Sequence, residues 1–247
     1  MVTVNWRKRL LVLVSLAAIV ALSLLGRIPQ DPAYHRFADA RAFAGISNFC
    51  NVVSNLPFIA VGVYGLWRTS RLDCTQMIGA YRVLCAAVIL VGFGSAWYHH
   101  APSDATLLWD RLPMTVAFMA LLALLLEERV LGRHQPGLLW LLVATGASSA
   151  GYWALTESLG QGDLRPYILV QFLPMILIPL IIGLFPQGHS SNRLLIAALG
   201  LYVLAKLLET FDTRVLELTT LVSGHSLKHV AAAAAVLCII RAIPTRG

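Results

Sequence analysis

Long runs of apolar residues, separated by short polar links, recur along the whole chain. A first run covers residues 10–28, and seven more follow at about 46–66, 80–99, 112–128, 138–156, 166–185, 193–209 and 224–241. Each is close to the ~20 residues that an α-helix needs to cross a bilayer. The pattern therefore predicts an all-α, polytopic membrane protein, a seven-transmembrane-helix bundle with one extra N-terminal transmembrane helix.

The composition agrees with a membrane protein. Of the 247 residues, 58% are hydrophobic and 13% are charged, against roughly a quarter charged in ordinary globular domains. The basic residues are scattered over the links and form no aromatic-interleaved patch, so we expect contact with lipid headgroups and no nucleic-acid partner. The cysteines, Cys50, Cys74, Cys85 and Cys238, lack C-x-x-C spacing and are predicted to be small apolar residues rather than disulfides or zinc ligands.

The first apolar run follows Arg7, Lys8 and Arg9, as in a signal peptide. It is long for such a segment, and Leu25-Gly26-Arg27 is a poor cleavage site. We therefore predict two parts, a retained anchor helix over residues 1–30 and a seven-helix domain over residues 31–247. The polar stretch 30–45 is expected at the membrane surface.

The loop arginines predict the orientation, because basic residues favour the cytoplasmic side. With eight spans and both termini in the cytoplasm, most of the loop arginines lie on the cytoplasmic side. His99, Asp110, His225 and His229 then come from three helices to one level near the extracytoplasmic face. The compact loops and the lack of an evident retention signal favour a bacterial inner membrane.

Three histidines are the strongest candidates for chemistry. His225 and His229 are one helical turn apart and share a face, and His99 is expected at the same depth. Three neutral imidazoles suit Zn²⁺ and leave a fourth position for a water, whose pKa a zinc ion lowers to about 7. The alternative is a polar cluster that only joins helices.

Two further residues have a structural and a chemical interpretation. Asp110 precedes Pro113 and is either a helix N-cap or a general acid and base. Ser95, one turn before His99, is either a small residue at a helix contact or a group that orients a water or stabilises an oxyanion.

The order of these motifs resembles the alkaline ceramidase family, in the CREST superfamily of seven-helix intramembrane hydrolases and related receptors. The resemblance covers about residues 34–247 and implies a bacterial-type member. It rests on Asn48-Phe-Cys-Asn-Val-Val-Ser-Asn55, Gly94-Ser-x-x-x-His99, Asp110 and His225-x-x-x-His229.

By this resemblance, the activity is zinc-dependent hydrolysis of ceramide or a related N-acyl lipid to a fatty acid and an amine (a sphingoid base). His99, His225 and His229 would bind the zinc, Asp110 would transfer the proton, and Ser95 would steady the water or transition state. The partners would be the lipid amide substrate and membrane lipids.

One motif departs from the family. Eukaryotic ceramidases carry an acidic, calcium-binding cluster before the first core helix, whereas here Asn48 precedes Phe49 and Asp39 lies between Arg36 and Arg41. Because calcium needs several oxygen ligands, a calcium site is not expected. His35 and Asp39 are instead expected to cover the entrance to the site.

Two other functions fit the same residues. A receptor or sensor like the progestin and adipoQ receptors would keep the zinc residues, but the short cytoplasmic surface disfavours it. A transporter could use intramembrane histidines, but paired Gly/Pro-interrupted segments are absent from the sequence.

The remaining intramembrane polar residues are predicted to be structural. Asn48, Asn51 and Asn55 share one helix face and favour hydrogen bonds between helices. Lys206 and Glu209 have the spacing of an ion pair. Lys228 points away from the two imidazoles and is expected to reach lipid headgroups.

Overall fold

The computed structural model of the chain describes residues 2–73 and 77–246, and these fold into helices. Within those two ranges there is no β-strand, and the extended pairing consists of two isolated bridges, Phe43–Ile46 and Leu72–Thr245. Cys50, Cys85 and Cys238 are free thiols, and Cys85 is buried as predicted. Cys74 lies outside the described residues.

Each of the eight predicted runs corresponds to a long helical segment. The first core segment is divided into α2 and α3 at Ser54-Asn55, and α5 continues into a π-helical turn over Leu126–Leu131. The helices are α1 (Val2–Ser23), α2 (Phe49–Val53), α3 (Leu56–Arg68), α4 (Ile78–His100), α5 (Asp104–Leu125), α6 (Pro136–Ser158), α7 (Arg165–Leu184), α8 (Asn192–Thr210), α9 (Asp212–Thr219) and α10 (Gly224–Ala242).

Among the described residues, five helical segments are long and apolar enough to cross a membrane. These are Phe49–Arg71, Ile78–His100, Gly137–Ser158, Arg165–Leu184 and Gly224–Ala242. The pair α8 and α9, bent by 82° at one residue, makes a sixth if it is one span. The all-α, polytopic prediction is confirmed, and the chain is an integral membrane protein.

Local capping signals set the starts of two helices that carry site residues. The Ser103 hydroxyl accepts from Thr106 N at 3.2 Å, and Thr106 Oγ1 accepts from Ser103 N at 3.1 Å, which forms a capping box. Because of this box, α5 begins about two turns before the predicted residue 112. Ser223 caps α10 by accepting from Ser226 N at 3.1 Å.

Close helix contacts bring the site residues together. A Cβ atom on Gly94 of α4 would lie 2.0 Å from the Trp109 carbonyl oxygen of α5, and one on Gly224 would lie 2.1 Å from the Leu208 carbonyl oxygen of α8. Only glycine allows backbones to approach so closely. The α4–α5 and α8–α10 pairs are accordingly the most intimate contacts of the bundle.

Helix α1 lies along α7 and is bonded to it near both ends. Arg7 Nη1 donates to the Leu184 carbonyl oxygen at 2.8 Å, and Arg165 Nη1 donates to that of Leu25 at 2.7 Å. Leu11 is buried in the main core. The division into an anchor helix and a seven-helix domain stays a prediction.

Candidate metal centre

The three histidines meet at one end of the bundle. His99 is in the last turn of α4, and His225 and His229 are in the first turns of α10. All three are buried, and their ligand nitrogens lie within 4.8 Å of one another. His225 Nε2 is 3.3 Å from His99 Nε2. The i, i+4 spacing brings His225 and His229 together, and His99 reaches them from α4, which packs against α3 as α10 does.

His229 has a hydrogen-bond partner on the first core segment, Ser54. The Ser54 hydroxyl donates to the Asn51 carbonyl oxygen at 3.0 Å, and its oxygen lies 2.8 Å from His229 Nδ1. With its hydrogen donated to Asn51, the Ser54 hydroxyl is placed to accept from a protonated Nδ1 of His229. The Nε2 lone pair is then available to a ligand, as in many metal-binding histidines.

The donor set fits zinc. Tetrahedral zinc with Zn–N bonds of 2.0–2.1 Å places ligand nitrogens about 3.3 Å apart, and the His99–His225 separation is 3.3 Å. Three buried neutral imidazoles are the ligands expected of a borderline-soft divalent ion.

Two residues outside the sequence motifs support the trio. The Phe37 ring lies 4.7 Å from the His99 ring and 4.9 Å from the His225 ring, both edge-on. Asp212, at the α8–α9 bend, accepts from His225 N at 2.7 Å and from Ala38 N at 3.1 Å. Asp212 thus joins the start of α10 to the polar stretch that carries Phe37.

In the polar stretch, Phe37 contacts the histidines, whereas His35 and Asp39 bond to other groups, and their role at the entrance stays a prediction. His35 Nδ1 is 3.1 Å from the Tyr98 hydroxyl, and its Nε2 is 3.1 Å from Asp104 Oδ1. Asp39 accepts from Arg41 Nε and Nη2, each at 2.7 Å, and these bonds lower the pKa of Asp39. The expectation that no calcium binds here stays a prediction.

Ser95 and Asp110 are neighbours because of Gly94. Its close approach to the Trp109–Asp110 backbone brings the next residue, Ser95, against the Asp110 side chain. The N-cap interpretation of Asp110 is wrong, because Ser103 caps α5 and Asp110 lies inside the helix. Ser95 is 3% exposed, and both residues face a cavity.

That cavity has a volume of about 390 Å³ and runs between α4, α5, α7, α8 and α10. Its polar end contains Ser95, Asp110 and His229, so the trio and the cavity share a residue. Most of the remaining wall is apolar and extends to Leu84, Leu125 and Ile239. On α5, the distance from Asp110 to Leu125 is about 22 Å at 1.5 Å per residue.

Three charged residues from α8 and α10 also line the cavity. Lys206 Nζ is 2.5 Å from Glu209 Oε2, which confirms the predicted pair. Lys228 Nζ is 2.5 Å from Glu209 Oε1, so the expectation that Lys228 reaches headgroups is wrong. A carboxylate on the adjacent helix gives Lys228 a partner inside the bundle.

The asparagines join helices in two of three cases. Asn48 Nδ2 donates to the His99 carbonyl oxygen at 2.8 Å, and Asn51 Oδ1 accepts from the Ser226 hydroxyl at 2.7 Å. Both bonds bring the first core segment to the helices that carry the histidines. Asn55 Nδ2 instead donates to the Asn51 carbonyl oxygen of its own segment.

Comparison with known proteins identifies one family. A sequence model described as Ceramidase matches residues 41–164, which is half of the chain. The matched part contains Ser95, His99 and Asp110, whereas His225 and His229 come after it. A comparison with curated proteins gives no match.

Proposed function

The chain belongs to the ceramidase family, and on that premise we propose that it is a zinc-dependent lipid amidase. Its substrate is ceramide or a related N-acyl lipid, and its products are a free fatty acid and an amine. The observation that carries the proposal is that His229 belongs both to the buried trio and to the cavity lined by Ser95 and Asp110.

His99, His225 and His229 would hold the zinc. Bound there, the ion supplies Lewis acidity for a carbonyl and activates water at neutral pH. The protein's contribution is to orient its ligands: Ser54 sets the tautomer of His229, and Asp212 positions the backbone of His225. Phe37 shields the rings from water, which strengthens electrostatic interactions in the site.

Ser95 and Asp110 would act on the amide. The attacking water loses a proton to Asp110 as its oxygen bonds to the carbonyl carbon. Ser95 donates a hydrogen bond to the carbonyl oxygen while negative charge develops on it. When the C–N bond breaks, Asp110 returns the proton to the departing nitrogen, so the products are a carboxylic acid and an amine.

The apolar part of the cavity would hold the lipid chains. Its walls come from α4, α5, α7, α8 and α10, so a lipid can present its amide to the polar end with its chains still among apolar side chains. We place both termini in the cytoplasm and the histidines near the extracytoplasmic face of a bacterial inner membrane. The distribution of loop arginines supports this orientation.

Metal content and hydrolysis measured on the same preparations test the proposal. Wild-type protein purified without chelators is expected to contain about one zinc per chain and to release fatty acid from ceramide. His99→Ala should lose both, with hydrolysis falling at least about a hundredfold, since a metal supplies several kcal/mol. His100→Ala is the matched control, because His100 is the next residue and is exposed.

Zinc-free wild-type protein, or His99→Ala that hydrolyses ceramide at the wild-type rate, would contradict the proposal. Zinc without hydrolysis of any N-acyl lipid would support the site but contradict the activity.

A further inference from the structure

A buried arginine follows Asp110 and has no role in the steps above. The side chain of Arg111 lies among three aromatic rings, with Cζ 4.3 Å from the centre of the Trp153 ring, 4.7 Å from that of Tyr167 and 5.3 Å from that of Tyr34. Arg111 Nη2 donates to Gln30 Oε1 at 2.7 Å. The residue is 5% exposed.

Arg111 forms no ion pair in the described part of the chain. No carboxylate oxygen there lies within 4.0 Å of a guanidinium nitrogen of Arg111, and its hydrogen-bond partner Gln30 is neutral. Arg111 Nη1 is buried and has no hydrogen-bond partner among the same residues. Buried charges are ordinarily paired, so this guanidinium has both a charge and a donor available.

Arg111 faces the cavity that contains the reaction centre. It lines this cavity together with Tyr34, Tyr167, Asp110 and Ser95. A guanidinium presents parallel N–H groups that match the two oxygens of a carboxylate, and low-dielectric surroundings strengthen such bonds. The three rings hold the guanidinium in place, which reduces the entropy lost when a ligand binds.

We propose that Arg111 is a specificity-determining residue that binds the carboxylate of a lipid in the cavity. This inference rests on the proposed function, since it concerns the ligand of the same site. The carboxylate has two possible sources. It belongs either to the headgroup of the substrate, as in an N-acyl amino acid, or to the fatty acid that hydrolysis releases.

Ligand binding without turnover is the first test. Palmitate and 1-hexadecanol share a chain and differ in the headgroup, so the ratio of their affinities isolates the carboxylate. Arg111→Gln is expected to reduce this ratio by about tenfold to a hundredfold, the contribution of one charge-assisted hydrogen bond. Arg214→Gln removes an exposed charge and should leave the ratio unchanged.

Two features keep this test decisive. Affinity for 1-hexadecanol should be the same in wild type and Arg111→Gln, which shows that the cavity is intact. If Arg111→Gln does not fold, Arg111→Lys replaces it, because lysine keeps the charge but lacks the planar fork. For Arg111→Lys, the ratio of the two affinities is expected to fall about three- to tenfold.

Kinetics distinguish the two sources. With N-palmitoylglycine and N-palmitoylethanolamine as substrates, a headgroup carboxylate predicts that Arg111→Gln raises KM for the first by about tenfold or more and leaves the second unchanged. Loss of palmitate binding with both KM values unchanged assigns Arg111 to the released acid.

An unchanged affinity ratio together with unchanged KM values overturns the proposal. The proposed function fails in a different way, through absent zinc or absent hydrolysis. Because Arg111→Gln keeps all three histidines and the binding test needs no turnover, either failure is recognisable without the other.

Discussion

The Ser54 oxygen and His229 Nδ1 lie 2.8 Å apart, and their hydrogen bond determines which nitrogen of His229 faces the other histidines. Ser54 lies at the break between α2 and α3, whereas His229 lies on α10. The break therefore contributes to the proposed metal site by exposing a hydroxyl whose own hydrogen is already donated to Asn51.

Ser54→Ala is expected to weaken zinc binding by about tenfold to a hundredfold, because partners that orient a ligand contribute this much. Competition with a chromophoric chelator measures the effect. Ser15→Ala is the control, since the Ser15 hydroxyl bonds only within α1, to the Leu11 carbonyl oxygen. Wild-type zinc affinity in Ser54→Ala would show that the tautomer is set in another way.

Gly94→Ala should separate α4 from α5, because its Cβ atom would lie 2.0 Å from the Trp109 carbonyl oxygen. Overpacking of this kind costs about 1–3 kcal/mol. The rate of hydrolysis should fall by more than the loss of folded protein explains. Ser95 and Asp110 depend on this contact, and small misplacements of reacting groups are costly. Denaturant unfolding and turnover at saturating substrate report the two effects.

Gly79→Ala provides the comparison on the same helix, where the nearest atom to a new Cβ is Leu139 Cδ2 at 3.9 Å. It should be neutral or more stable by up to about 1 kcal/mol. Equal behaviour of the two variants would contradict the role given to Gly94.

Asp163→Asn should change the acid dependence of stability. Hydrogen bonds from Arg165 lower the pKa of Asp163 to about 2, from 3.8. The ionised carboxylate therefore stabilises the fold fully above about pH 4, and this contribution is lost as the pH falls towards 2. The difference in Tm between wild type and Asp163→Asn should shrink over that range.

Glu217→Gln is the control for the acid titration, because Glu217 forms only an exposed pair with Arg214. Its Tm should follow that of the wild type at every pH. A constant difference between wild type and Asp163→Asn from pH 7 down to pH 2 would contradict the stabilising role of the Asp163–Arg165 ion pair.

Glu209→Gln should destabilise the protein by about 2–3 kcal/mol, because it leaves Lys206 and Lys228 without their common partner. The expected loss is below the 3–5 kcal/mol of fully buried pairs, since these side chains are partly exposed. Glu217→Gln, which breaks an exposed ion pair, should change the free energy of unfolding by no more than about 0.5 kcal/mol. Equal free energies of unfolding for the two variants would contradict a stabilising role for the ion pairs of Glu209.

Local sequence determined the helices and part of the site. Apolar run length predicted eight helical segments, because every backbone polar group in a bilayer must be bonded within its own helix. The i, i+4 spacing placed His225 and His229 on one face. The start of α5 is also a local signal, the Ser103–Thr106 capping box, and this box rules out Asp110 as the N-cap.

Tertiary structure decided the rest, because these contacts join residues that are far apart in the chain. Ser54 contacts His229, Arg111 contacts Gln30, and Phe37 contacts His225. Lys228 shows why a helical face alone was misleading: its direction was predicted from α10, but its partner Glu209 belongs to α8. Periodicity gives the direction of a side chain, whereas only packing determines which group it meets.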